Sequence, residues 1–124
     1  MRTETMSVAA YRQSMRDTVS PRQLEHRVFS QVTAELEVCT RQPDAFATIR
    51  AVDRNRRLWG ALVTDLAQPD NLLPDALKAG LISLGLWVNR YSSEVLTEGR
   101  PLNPLIEVNR TVMQGLGSAP AGAA

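Results

Sequence analysis

At 124 residues, the chain is the size of one domain and long enough to enclose its own core. Its 14 basic and 13 acidic side chains leave a net charge of +1, which argues against a dedicated nucleic-acid binder. A single cysteine excludes an internal disulfide, and no run approaches the roughly 20 apolar residues that cross a bilayer. With no export-type apolar segment near Met1, these features predict a cytoplasmic protein.

In chain order, the pattern predicts four main helices and no strand. Residues 1–19 are small and polar, with Val8, Tyr11 and Met15 at spacings of three and four. They read as a short docking helix or as a tail that orders on binding, and the helix is preferred. Met1 and Met6 both qualify as starts. The first main helix opens at Ser20-Pro21-Arg22-Gln23. Ser20 is the predicted N-cap, Pro21 suits the first helical position, and Gln23 completes a capping box. Leu24, Val28, Val32, Leu36 and Cys39 then recur at helical spacing, until the signal fades at Gln42-Pro43.

Asp44 is a good N-cap for the second helix. Ala45, Ile49, Val52, Trp59, Val63 and Leu66 are predicted to line its inner face, with Arg50, Arg54, Arg57 and Asp65 opposite. Pro69 predicts a stop, and Pro74 with Asp75 predicts a restart after a stiff elbow. The third helix runs to about Glu98, with Leu77, Leu81, Leu84, Val88, Tyr91 and Val95 in alternating steps of four and three. Gly99 is its predicted C-terminal stop. The fourth begins near Pro101 or Pro104, carries Leu102, Leu105, Ile106, Val112, Met113 and Leu116 inward, and is predicted to end at Gly115 and Gly117. Short connections favour antiparallel neighbours. The expected product is one all-α domain over 1–124, a compact antiparallel four-helix bundle with its core at about 8–117 and flexible tails at 1–7 and 118–124.

Several polar residues interrupt the apolar stripes. Asn55 and Arg56 fall on the inward half of the second helix, and Asn109 near the centre of the fourth. Burying such groups is costly unless something answers them. Glu25 falls near the level of Arg56 if the first two helices are antiparallel. The pair is predicted to form an ion pair or charge-assisted hydrogen bond, read as a structural clamp, with a partner groove as the alternative. The third helix also carries Ala79, Ile82 and Leu86 away from its main seam, with Gly85 and Asn89 alongside. Such a helix is either central in its bundle or bears an exposed apolar stripe. Gly80 and Gly85 would each suit a close approach by another backbone. Trp59 reads as a core side chain, and Trp87 as the edge of its seam.

No catalytic constellation stands out. His26 is alone, Cys39 lies on an apolar stripe, and no cluster has metal-ligand spacing or a phosphate-loop pattern. The chain therefore reads as non-enzymatic and without cofactor or metal. Arg50, Arg54, Arg56 and Arg57 form the only dense basic cluster, an ordinary charged surface or a patch for RNA phosphate.

The order and spacing of several segments resemble the flagellar biosynthesis regulator FlaF family. They are Asn55-Arg56-Arg57-Leu58-Trp59, Asp65-Leu66-Ala67, Pro69-Asp70-Asn71, Leu73-Pro74 and Leu81 through Arg90. Ser20 through Glu25 and Leu105 through Arg110 extend the likeness to about residues 8–117. Gln23 departs from the acidic residue expected there but preserves the capping box. The resemblance implies a small cytoplasmic helical protein needed for flagellin synthesis and secretion, acting opposite the regulator FlbT, with chaperone-like binding of flagellin as one picture of its action. On that picture Ile82, Leu86 and Trp87 form the contact strip, and Arg56, Asn89, Arg90 and Asn109 guide polar contacts. The alternative is a post-transcriptional regulator that reaches flagellin mRNA, or a companion regulator, through the Arg-rich second helix.

Overall fold

Helix-forming stretches separated by proline and glycine signals yield four helices in a computed structural model that describes residues 21–123, with side chains described over 26–115. They are α1 (Pro21–Arg41), α2 (Ala45–Leu66), α3 (Asp75–Glu98) and α4 (Asn103–Ala123). No strand occurs among the described residues. The predicted N-terminal helix, its Val8, Tyr11 and Met15, the Ser20 cap and the tail at 1–7 lie outside the described residues. So do the side chains of Leu24, Glu25 and Leu116.

Local chemistry sets most of the boundaries. Asp44 adopts extended backbone at φ −151°, and its side chain accepts from the Phe46 N–H, satisfying one orphan donor at the start of α2. Replacing Asp44 with Ala is expected to lower stability by about 1 kcal/mol, read from urea unfolding. α2 ends at Leu66, before Pro69. The elbow is held by side chains. Asn71 donates to Asp65 at 3.1 Å and accepts from the Leu73 N–H at 3.1 Å, while Lys78 Nζ donates to the Asn71 carbonyl. Pro74 takes the N-cap position and Asp75 opens α3 near the positive end of its dipole. Gly99 caps α3 in the left-handed region at φ 70°, its N–H donating to the Val95 carbonyl.

The fourth helix departs from expectation. It starts at Asn103, so Pro104 rather than Pro101 lies in its first turn, and it continues through Gly115 and Gly117 to Ala123. Glycine ends a helix by turning into the left-handed region. Among the described residues only Gly99 does so, and α4 continues over 118–123, where a tail was expected.

The helices close around Phe29, Leu36, Val52, Trp59, Leu66, Val88 and Leu105, all fully or almost fully buried. Phe29 was not on the predicted stripe of α1, yet its ring meets the Trp59 indole edge-on at 5.5 Å. α1 packs chiefly on α4 and on α2, and α2 on α3; α3 and α4 touch far less. Two predicted inner faces are shorter than expected. Ala45 and Ile49 at the start of α2 are exposed, and so is Leu77 at the start of α3. At the start of α2 the inward side is taken by Ala47, Ala51 and Val52, which leaves Ala45 and Ile49 off it, and Leu77 lies in the first turn of α3. Cys39 is buried among core side chains.

Candidate partner-binding face

A buried polar chain crosses the core and gives Asn109 its place. The indole N–H of Trp59 donates to Asn109 Oδ1 at 2.9 Å. Asn109 Nδ2 donates to Asn55 Oδ1 at 2.8 Å and to Thr33 Oγ1 at 3.1 Å. The direction of the chain is physically determined. Indole can only donate, so the Asn109 oxygen must face it, its amide nitrogen must face Thr33 and Asn55, and Asn55 must turn its oxygen inward. That leaves Asn55 Nδ2 unpartnered, as is Ser92 Oγ on α3. Asn109 is fully buried with both ends of its amide engaged. Expected as a polar guide for a partner, it instead fastens α4 to α1 and α2.

Arg56 answers its partial burial across the α2–α3 seam. Its Nε and Nη2 donate to Asn89 Oδ1 at 3.2 and 3.0 Å, and Nη2 also donates to Ser93 Oγ at 3.2 Å. Neither acceptor is charged, so the bracket fixes the register of the two helices without burying a carboxylate. The expected partner Glu25 falls outside the described side chains.

A second register device lies further along the same seam. A Cβ placed on Gly85 would sit 2.4 Å from Val63 Cγ2 and 3.5 Å from Trp59 Cε3. The predicted close approach therefore holds for Gly85, and the close neighbour is α2. It does not hold for Gly80, where such a Cβ would meet nothing within 4 Å.

The three residues of the expected contact strip separate. Leu86 is 65% exposed, one of several large apolar side chains left at the surface, of which Phe46 and Leu72 are more exposed. Ile82, one turn earlier, is half-buried and packs on the core. Trp87 lies about 100° further round α3 and is half-buried, stacked on Tyr91 at 4.9 Å with the rings 14° from parallel. Tyr91 donates its hydroxyl to the Pro101 carbonyl at 2.7 Å. Burial pushes its phenol above the usual value of about 10, against the nearby Arg100 guanidinium, with Glu94 adding to the rise. Arg90 is exposed and has no partner among the described residues. The strip thus divides into Leu86, which is exposed and bordered by the exposed Asn89 and Arg90, and Ile82 and Trp87, which are both half-buried against the core.

The Arg-rich part of α2 is largely engaged within the molecule. Arg54 pairs with Glu35 of α1 at 2.9 Å, Arg57 with Asp53 at 3.0 Å, and Arg56 is held by Asn89 and Ser93. Sequence reasoning missed the interhelical pairs Arg54–Glu35 and Arg110–Glu37, which join α1 to α2 and to α4. Opposite charges at exposed positions were the only available signal. No cluster of three or more potential metal-ligating side chains occurs among the described residues, and no described helix is long and apolar enough to cross a membrane.

No curated protein and no solved structure matches this chain. The family model for the flagellar protein FlaF, by contrast, matches residues 7–116, from before α1 to within α4 and across the elbow, the seam and the buried asparagine chain. The chain belongs to the FlaF family, and with it to flagellar biogenesis.

Proposed function

We propose that this protein is a non-enzymatic, cytoplasmic, chaperone-like factor that binds flagellin and supports its synthesis and secretion. The observation that carries this reading is Leu86, exposed at mid-helix beside the half-buried Ile82, on a helix whose opposite side is sealed into the core. A partly exposed aliphatic pair on a two-helix platform suits helix-in-groove docking, in which an amphipathic helix lays its apolar side against the platform. Flagellin ends are helical and prone to coiled-coil pairing, so a factor that covers their apolar stripes before export would keep them from associating early.

The engaged arginines favour this reading over direct contact with flagellin mRNA. A phosphate-tracking patch relies on several uncompensated cations, whereas Arg54 and Arg57 are paired with the carboxylates of Glu35 and Asp53, and only Arg56, held by neutral acceptors, keeps its charge uncompensated among the three. Action through the companion regulator FlbT, by way of the Arg-rich second helix, is separated from flagellin binding by titrating each partner alone. Replacing Ile82 and Leu86 together with Asn is expected to abolish co-purification of flagellin while the far-ultraviolet circular dichroism stays helical. Undiminished flagellin binding by that helical double variant would sink the reading.

A further inference from the structure

The Arg56–Asn89 bracket fixes which side chains oppose one another along the outer side of the α2–α3 seam. Ile49 lies seven residues before Arg56, and Leu96 seven after Asn89. Seven residues return a helix to nearly the same side, and the helices run antiparallel, so both steps lead the same way. Ile49 and Leu96 therefore stand at the same level on the two sides of the seam at one end, 50% and 39% exposed. Ile82 and Leu86 stand at the other end, about 21 Å along α3 from Leu96 at Ile82. Gly60, four residues after Arg56, leaves the flank beside this second pair open, since a Cβ there would meet nothing within 4 Å.

Between the two apolar ends the surface is cationic. Arg56, Arg57 and Arg90 stand beside one carboxylate, Asp53, which Arg57 engages. We propose that this outer face seats one partner helix that is apolar at both ends and acidic between them. Charge complementarity selects that occupant. A second copy of this chain, placed about a two-fold axis through the middle of the face, would set Arg56 and Arg90 against their own counterparts. The proposal deepens the flagellin reading and rests on it only for the identity of the natural partner.

The test uses two synthetic amphipathic peptides of about 20 residues, long enough to span both apolar ends. Each has leucines on one side near both ends; one carries glutamates at the centre and the other lysines. The glutamate peptide is expected to bind at least about tenfold more tightly at low salt. R90E should reduce that preference. The paired I49D and L96D substitutions, on exposed side chains, should remove peptide binding. G60Q, which favours the helix but fills the open flank, should do the same. Equal affinity for the two peptides overturns the proposal, as does binding that survives I49D with L96D. A reversible dimer lost in L96D would assign the face to a second copy and likewise overturn it. Flagellin retained by I49D with L96D but lost with both Ile82 and Leu86 replaced would confine flagellin to one end and reject the longer seat. If wild-type protein binds no flagellin yet prefers the glutamate peptide, the flagellin reading fails and the seat stands.

Discussion

Replacing Asn109 with Leu is expected to lower stability by about 3–5 kcal/mol, although leucine is close in size and apolar. The substitution strands the Trp59 N–H in the core and removes the donor that reaches Asn55 and Thr33, all on fully or nearly fully buried residues. Each stranded buried group costs about 1–3 kcal/mol. The measurement is urea unfolding of the wild type, Asn109→Leu, Trp59→Phe and the double variant. Trp59→Phe removes the indole donor, so the double variant should lose less than the sum of the singles by about 1–2 kcal/mol. A loss below about 1 kcal/mol for Asn109→Leu, or strict additivity in the cycle, would show that the polar chain does not hold the core together.

The second large effect is expected at Gly85. Alanine there gains roughly 1 kcal/mol of helix propensity but places its methyl against Val63 Cγ2 at 2.4 Å. Valine is stiff about χ1, so relief requires moving α3 away from α2 rather than turning a flexible tip. Overpacking costs about 1–3 kcal/mol, and the net result is a loss of up to about 2 kcal/mol. Two comparisons identify the cause. Gly80→Ala, with open space around it, should gain up to about 1 kcal/mol. Val63→Ala should rescue Gly85→Ala, because the offending methyl is gone. Equal thermal shifts for the two glycine variants, or no rescue, would show that the close approach does not govern the seam.

Much of the architecture was legible because it is encoded by neighbours in sequence. Asp44, Pro69, Pro74 and Gly99 act through their own φ angles and nearby N–H groups, so boundaries could be read locally. The fate of Gly115 and Gly117 could not, since glycine permits a left-handed turn without requiring it. Periodicity identified Val52, Trp59, Val88 and Leu105 as inward, but it cannot tell which of two adjacent apolar stripes a neighbouring helix will cover. Ile49 kept the spacing and lost the burial because Ala47 and Ala51 take the inward side there.

The candidate face was legible in part for the same reason. The break in polarity at Asn55, Arg56 and Asn109 signalled that partners were required, and the structure supplies Asn89, Ser93, Thr33 and Trp59. Pairing across dozens of residues depends on register, which no local window contains. Leu86 and Trp87 are adjacent in sequence yet face different surroundings, so only the folded neighbours could separate the exposed strip from the aromatic stack.

The slight contact between α3 and α4 makes the bundle a partly opened book, with α1 and α2 as its spine. The free edge is latched at one margin by the short Gly99–Leu102 strap and braced inside where Asn109 catches Trp59. Thermal breathing is expected to start along that edge, with amide protons on the facing sides of α3 and α4 exchanging early in hydrogen-exchange measurements.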